Sequence, residues 1–262
     1  MERIALNVIP SGRHLLVCDL GTMPYTQALA LQRAVARARI SGAFREDLLL
    51  LVEHPPVITT GRSTKRGNLL ASLEMLAARG VELHDVERGG DVTFHGPGQL
   101  VGYPIVDLKR HTLDLHWYLR RVEDAIIVAL GAVGVGVGAG RSPGQTGVWV
   151  DGRKIASIGV HARDWVTWHG FALNVTTDLS FFDLMVPCGI GGVQMTSVRE
   201  ELRLAGGTDA LSPASAAASV GSVTDLWRET VAAVVSAFSD TFGLEPLPLD
   251  PGDLRRVAGT DP

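Results

Sequence analysis

The sequence lacks what membrane-spanning, secreted and disulfide-stabilised proteins need. No apolar run reaches the roughly 18–20 residues that cross a bilayer, and residues 1–13 do not show the basic and then apolar pattern of a signal peptide. The chain has only two cysteines, Cys18 and Cys188, which are too few and too far apart for a disulfide framework. We therefore expect a cytoplasmic protein with two thiols, each of which is either an inert core residue or a reactive group.

Several function classes also lack their signatures. A net charge of −4 gives no global attraction to nucleic acid or to an anionic membrane. The sequence contains no G-x-S-x-G of a serine hydrolase, and neither the H-E-x-x-H nor the C-x-x-C of a zinc site. Residues 147–154 fail as a phosphate-binding loop, because Arg153 interrupts the glycine–lysine pair and Ile155 stands where serine or threonine would bind magnesium. The residues therefore demand neither a nucleotide nor a metal.

The chain of 262 residues, of which 46 % are hydrophobic, can bury a sizeable core. Periodicity and cap residues predict helices over residues 24–40, 72–80, 114–131 and 222–242. Strands are predicted over residues 47–53, 57–60, 81–87, 148–150, 153–160 and 168–175, with Asp151-Gly152 as a hairpin turn. Because helices and strands mix without regular alternation, the pattern favours an α+β fold over a doubly wound sheet.

Three segments are predicted to be irregular. Residues 88–107 hold five glycines and two prolines, which favour a loop between two strands. The alanine- and serine-rich residues 206–221 are typical of a mobile connection. We expect residues 1–245 to form a single domain and residues 246–262 to be a loosely ordered C-terminal tail.

The turn Pro187-Cys188-Gly189 makes Cys188 the better candidate for a reactive thiol. Proline fixes φ and removes an amide donor, whereas glycine permits a tight and open backbone. The neighbouring backbone N–H groups are then candidates for facing a developing oxyanion. From the residues alone, a nucleophile and a cysteine buried beneath a loop remain equally open. For Cys18, in a strand-like run, we favour a buried structural thiol.

A nucleophilic cysteine needs a neighbouring cation or base, because a thiol with an ordinary pKa of about 8.5 is mostly protonated near neutral pH. Lys154 either points into a cleft or, as the residues alone favour, lies in solvent on the hairpin. His95 and His169 each precede a glycine, and a structural role remains the simpler interpretation of both. Arg88 opens an R-G-G segment that fits either a site for an anion or carbonyl group or a turn with a solvent-facing arginine.

Five groups of residues together resemble one family, the octanoyltransferases of lipoate biosynthesis, also called lipoyl(octanoyl) transferases. In chain order they are EHPPV at 53–57 with Gly61-Arg62, RGGDVTFHGPGQLV at 88–101, GRKIASIG at 152–159, HGFALN at 169–174, and Pro187-Cys188-Gly189. The long R-G-G block is highly specific, whereas each of the others alone would be weak. The resemblance covers roughly residues 15–245.

The resemblance implies an α+β fold with a mixed sheet flanked by helices, like the catalytic domain of biotin and lipoate protein ligases. It also implies transfer of an octanoyl group from acyl carrier protein to a lysine of a lipoyl domain, the first step of endogenous protein lipoylation. The acceptor domains belong to 2-oxoacid dehydrogenase complexes and to the glycine cleavage H protein. Because the donor is already a thioester, neither ATP nor a metal is expected. We expect a monomer with no nucleic-acid or membrane partner.

The resemblance further implies roles for individual residues. Cys188 carries the acyl group as a thioester, and Lys154 promotes ionisation of that thiol. The residues expected to contact substrate are Arg88, Gly89, Gly90, Asp91, Val92, Thr93, Phe94, His95, Ser157, Ile158, Gly159, Gly170, Phe171 and Ala172.

Arg62, Lys65 and Arg66 follow Gly61 and are the candidates for docking acidic protein partners, although a solvated loop is the simpler interpretation. One rival function is an ATP-dependent ligase of the same fold, which needs no cysteine nucleophile. Another is a non-catalytic acyl-binding module. The Pro-Cys-Gly turn argues against the ligase, and the pair Lys154 and Cys188 argues against the binding module.

Overall fold

The structure, a computed structural model, describes residues 13–206 and 222–259. The strands, in chain order, are β1 (His14–Thr22), β2 (Asp47–Glu53), β3 (Val57–Thr60), β4 (Glu82–Asp85), β5 (Thr93–His95), β6 (Gln99–Ile105), β7 (Ala139–Ser142), β8 (Gln145–Val150), β9 (Arg153–Arg163), β10 (Val166–Asn174) and β11 (Glu245–Pro248). The helices are α1 (Tyr25–Ser41), α2 (Leu73–Ala78), α3 (Leu115–Ala132), α4 (Val198–Ala205), α5 (Val223–Phe242) and α6 (Pro251–Ala258). The predicted connection at 206–221 lies, beyond its first residue, outside this description.

A mixed sheet of eight strands organises the molecule, in the spatial order β11-β1-β2-β6-β10-β9-β8-β7. β1 runs parallel to both β2 and β11, and the remaining pairs are antiparallel. One face packs against α3 and α5 through a core that includes Tyr118, Ile126 and Phe238. The other face packs against α1 and α6, with Val35 and Leu254 in its core. Because helices cover both faces, the central strand β2 carries a continuous hydrophobic run, residues 48–52, between its charged ends.

A small sheet of three strands, in the order β4-β3-β5, lies beside the main sheet. Its core joins Ile58 of β3 and Phe94 of β5 to Leu76 of α2. The side chain of Ser72 accepts a hydrogen bond from the Met75 N–H and caps α2, as the sequence predicts. Residues of β5 from the small sheet and of β9 and β10 from the main sheet line the cavity described below.

The C-terminal segment differs from the prediction. Instead of a loose tail after residue 245, β11 pairs in parallel with β1, and α6 follows with Leu254 fully buried. Prolines are tolerated in β11 because it is an edge strand. Leu247 and Leu249 anchor the segment in the core beside α1. The prediction gave weight to proline and glycine and overlooked the spacing of these leucines.

The glycine-rich residues 88–107 also hold more regular structure than predicted. They contain β5 and β6, and β6 is a buried strand of the main sheet. Gly102 allows this packing, because a Cβ atom there would lie 2.2 Å from the Phe171 ring on β10. The glycine therefore reflects a close approach between neighbouring strands rather than a loop.

Candidate active site

Lys154 and Cys188 meet, although 34 positions separate them in the chain. The Lys154 Nζ atom lies 3.2 Å from the Cys188 Sγ atom and 3.3 Å from the carbonyl oxygen of Thr146. Lys154 is only 1 % exposed, and Cys188 is half-buried. Lys154 therefore points into a cleft, and its placement in solvent, which the residues alone favoured, is wrong. Cys18 lies fully buried in the core, as predicted.

A β-bulge in β9 sets the direction of Lys154. Val148 of β8 pairs with Ala156, but the next residue, Trp149, pairs with Lys154, so Ile155 is an extra residue in β9. Ile155 and Ala156 consequently both face the core. The extra residue places Lys154 and Ser157 on the same side of the strand, facing the cavity.

Gly147 provides the space that Lys154 occupies. A Cβ atom at this position would lie 2.9 Å from the Lys154 Cε atom and 2.7 Å from the carbonyl oxygen of Ala156. Its φ of +133° is also a conformation that other residues rarely adopt. The main chain of Lys154 is fixed from the opposite side, because its N–H donates to Gln194 (2.7 Å) and its carbonyl accepts from Thr196 (2.9 Å).

Cys188 stands on a short 3₁₀ turn with a left-handed backbone, φ 55°. Its N–H donates to the carbonyl of Val92 at 2.9 Å. The N–H groups of Gly189 and Ile190 donate to the carbonyls of Val186 (2.9 Å) and Pro187 (3.0 Å). The expectation that these amides face a developing oxyanion is therefore wrong, because each of them already donates to a backbone carbonyl.

Asn68 and Asp91 form a frame around this turn. Asp91 accepts a hydrogen bond from the Val92 N–H (2.7 Å) and another from the Asn68 side chain (2.5 Å). The Asn68 carbonyl accepts in turn from the Val186 N–H at 2.7 Å. The frame thus holds Val186, just before the turn, and Val92, whose carbonyl accepts from the Cys188 N–H, and so supports the strained backbone of Cys188.

A cavity of about 250 Å³ opens at the Lys154–Cys188 pair. Of the residues expected to contact substrate, those on its wall are Arg88, Gly90, Asp91, Thr93, His95, Ser157, Ile158, Gly159, Gly170, Phe171 and Ala172. Val92 and Phe94 flank Thr93 and point the other way, into the core of the small sheet. Gly89 is also off the wall, and its N–H donates to the carbonyl of Val160. These three are corrections to the predicted set.

Other wall residues were not singled out from the sequence. They are Tyr25, Val101, Tyr103, Gly144, Gln145, Thr146 and Ile190. Val101, the last residue of the R-G-G block, and Tyr103 alternate on β6, so strand periodicity was a usable signal for both. Nothing in the local sequence marks Tyr25, the first residue of α1, because only the fold brings it to the cavity.

Arg88 is buried rather than solvent-facing. Its guanidinium donates to the carbonyl oxygen of Thr59 (2.7 Å), to the Thr59 hydroxyl (2.9 Å from Nη2) and to the carbonyl of Gly89 (3.1 Å). Burial lowers the pKa of Arg88 from its ordinary value. Gly61 and Gly159 leave the space for this side chain, because Cβ atoms there would crowd it.

The histidines on the cavity wall are neutral at physiological pH. Burial lowers the pKa of His95 to about 3 and also lowers the pKa of His169. His95 Nδ1 donates to the Gln99 side-chain oxygen (2.8 Å), because the amide nitrogen of Gln99 already donates to Asn174 (2.9 Å). These histidines therefore add no positive charge to the wall.

The basic loop after Gly61 lies next to the cavity wall. The N–H groups of Arg62 and Ser63 donate to the carbonyls of Arg88 (3.0 Å) and Gly90 (3.1 Å). Arg62, Lys65 and Arg66 are all exposed. The loop is thus close enough to the site for a docking role, which stays a prediction.

A cysteine paired with a buried lysine on the wall of a cavity is an arrangement suited to nucleophilic acyl transfer. The family model "Lipoyl protein ligase A/B catalytic domain" matches residues 24–227. The chain is 53 % identical to the octanoyltransferase of Acidobacterium capsulatum over 201 residues, which are 72 % of this chain and 80 % of that protein. It is 51 % identical to the octanoyltransferase of Koribacter versatilis over 191 residues, 71 % of this chain and 75 % of that one. The chain belongs to the octanoyltransferase family, as its motifs predict.

Solved structures confirm the predicted fold class. Lipoate-protein ligase A bound with ATP superposes with a TM-score of 0.63 at 16 % identity, covering 94 % of this chain and 92 % of that one. The bi-partite lipoate protein ligase of Thermoplasma acidophilum gives a TM-score of 0.65 at 18 % identity, covering 95 % and 91 %. In residues 13–206 and 222–259, no helix is both long and apolar enough to cross a membrane.

Proposed function

We propose that the protein transfers an octanoyl group from acyl carrier protein to a lysine of a lipoyl domain, through a thioester on Cys188. The observation that carries the proposal is the 3.2 Å contact between Lys154 Nζ and Cys188 Sγ on the wall of the cavity. An ammonium group at this distance favours the thiolate by Coulomb attraction, and the thiolate is the nucleophilic form.

In the first half-reaction the Cys188 thiolate attacks the donor's thioester carbon. The resulting tetrahedral intermediate expels the carrier's thiolate, which takes a proton from the Lys154 ammonium. One thioester replaces another, so the exchange is nearly isoenergetic. For this reason we propose that the reaction requires neither ATP nor a metal.

In the second half-reaction the acceptor lysine attacks the Cys188 thioester as a neutral amine. Lys154, now neutral, accepts the proton that the attacking nitrogen loses. Collapse forms the amide and releases the Cys188 thiolate, which restores the original ion pair. Lys154 thus gives up a proton in the first half-reaction and regains one in the second, whereas Cys188 is first the nucleophile and then the leaving group.

The cavity wall suits an acyl chain. Val101, Ile158, Phe171 and Ala172 supply apolar surface, and a mostly buried octanoyl chain contributes on the order of 5 kcal/mol at about 0.8 kcal/mol per CH₂ group. One methylene more or less should change selectivity by only about 10–200-fold. We therefore expect a graded preference for chain length.

The acceptors that we propose are the lipoyl domains of 2-oxoacid dehydrogenase complexes and the glycine cleavage H protein. The solved structural neighbour from Thermoplasma acidophilum was studied with its E2 lipoyl domain, which supports an acceptor of this kind. The exposed Arg62, Lys65 and Arg66 would attract acidic partners. A reaction that needs a reduced thiol fits the cytoplasm, and we propose that the enzyme works there as a monomer.

Mass spectrometry of the intact protein and of its peptides tests the thioester. After incubation with octanoyl-acyl carrier protein and no ATP, the wild type should carry an octanoyl adduct on Cys188 that a lipoyl domain removes. Cys188→Ala should carry none and should lose transfer. The matched control is Cys18→Ala, because Cys18 is buried in the core and its loss should leave the adduct in place. An adduct that persists in Cys188→Ala would refute the assignment.

A further inference from the structure

Both half-reactions pass through a tetrahedral intermediate whose oxygen carries negative charge. Enzymes of acyl transfer usually stabilise this oxyanion with preorganised donors near the nucleophile. Here the N–H groups of Cys188, Gly189 and Ile190 already donate to backbone carbonyls. The oxyanion therefore needs a donor from outside the turn.

Ser157 is placed to supply it. Its Oγ atom lies 3.6 Å from the Cys188 Sγ atom, on the cavity-facing side of β9 that the bulge sets. In the described part of the chain, the side-chain polar groups in hydrogen-bonding contact with this sulfur are Lys154 Nζ and Ser157 Oγ. The backbone pairing of Ser157 with Ala172 of β10 fixes the main chain from which the hydroxyl projects.

Lys154 is less suited to this task. Its Nζ atom already donates to Sγ and to the Thr146 carbonyl, and the proposed mechanism has it lose its proton when the carrier thiol departs. In the second half-reaction it begins neutral and gains a proton as the oxyanion forms. A hydroxyl keeps its O–H donor throughout both steps, because it need not exchange its proton.

We propose that the Ser157 hydroxyl is a catalytic oxyanion donor in both half-reactions, an inference that rests on the thioester mechanism above. When Sγ bonds to the acyl carbon, the carbonyl oxygen is attached to the atom next to the sulfur. The Ser157 hydroxyl, 3.6 Å from the sulfur, is then within hydrogen-bonding reach of that oxygen. As the carbonyl π electrons move to that oxygen, the Ser157 O–H turns from Sγ to the oxyanion. Collapse returns the electron pair to the carbonyl and expels the leaving group.

The test separates oxyanion stabilisation from support of the thiol. Rapid-quench single turnovers should show acylation of Cys188 and transfer to a lipoyl domain each slowed by about 100-fold in Ser157→Ala. At a pH high enough to ionise the thiol in both proteins, alkylation of Cys188 by iodoacetamide should proceed at close to the wild-type rate, because displacement at a saturated carbon forms no oxyanion. Ser157→Thr, which keeps a hydroxyl, should recover most of both transfer rates.

Two results would overturn the inference. One is transfer by Ser157→Ala within about 3-fold of wild type, well below the effect of losing an oxyanion donor. The other is alkylation slowed in parallel with transfer, which would mean that Ser157 acts on the thiol itself. Both differ from failure of the thioester mechanism, in which the wild type would form no adduct on Cys188.

Discussion

His54 is a buried neutral base whose protonation should appear in the pH dependence of stability. The ring Nδ1–H donates to the Met23 carbonyl (2.7 Å), and the Tyr103 hydroxyl donates to Nε2 (2.7 Å). Burial lowers the pKa of His54 from its ordinary 6.5 to about 4. The folded state therefore resists a proton that the unfolded chain accepts.

The sign and size of the effect follow from linkage. Because the folded pKa is lowered, the contribution of His54 is fully present above about pH 6.5 and is lost as the pH falls towards 4. Between about pH 7.5 and about pH 5, the unfolded chain gains nearly one proton at this site. The free energy of unfolding should fall by about 2 kcal/mol on account of His54 alone.

The effect of His54 can be measured by urea unfolding of the wild type, His54→Gln and His116→Gln at these two pH values. In His54→Gln, the drop in unfolding free energy between the two pH values should be about 2 kcal/mol smaller than in wild type. The comparison uses differences between pH values, so any general loss of stability in the variant cancels. The exposed His116 on α3 gives the matched control, His116→Gln, which should show the wild-type drop. An equal drop in wild type and His54→Gln would refute the reasoning.

Two further predictions concern the proposed site. Lys154→Met should move the midpoint of Cys188 alkylation by iodoacetamide to higher pH, because the ammonium at 3.2 Å no longer favours the thiolate; an unchanged profile would contradict its role. Lys65→Glu combined with Arg66→Glu should raise the KM for a protein substrate severalfold and leave turnover of a small octanoyl thioester unchanged. The control Arg37→Glu, at another exposed position, should leave both the KM and the turnover unchanged. An unchanged KM in the double variant would dismiss the docking loop.

Local pattern was enough to predict much of the fold. The continuous apolar run of β2, the Asp-Gly hairpin between β8 and β9, and the cap of α3 at Asp114 all stand where periodicity and turn residues indicate. The hairpin and the helix cap depend on contacts between residues close in the chain, and β2 is marked by its own apolar run. The prediction for the C-terminal segment was wrong because its strand, β11, forms by pairing with β1 near the other end of the sequence.

In the candidate site, too, contacts between residues distant in the chain could not be predicted from local pattern. Residue types made Cys188 plausible and left Lys154 more probable in solvent, since no local rule states which residues 34 positions apart will meet. Motif resemblance supplied the pairing, and the geometry agrees. The resemblance also predicted substrate contact for every residue of whole segments, but strand alternation turns Val92 and Phe94 away from the cavity. The sequence Pro-Cys-Gly also does not show that the backbone N–H groups of Cys188 and Gly189 are already bonded to carbonyl oxygens.

The bulge in β9 has a consequence for anyone who wishes to transplant this chemistry. In a regular strand, two residues that share a face must be an even number of positions apart. Lys154 and Ser157 are separated by an odd number, and the extra Ile155 alone reconciles that spacing with a common face. A designer who grafts both residues onto an ideal hairpin at their native spacing would send one of them to the opposite side. The irregularity must be copied with the side chains, or the spacing shortened by one.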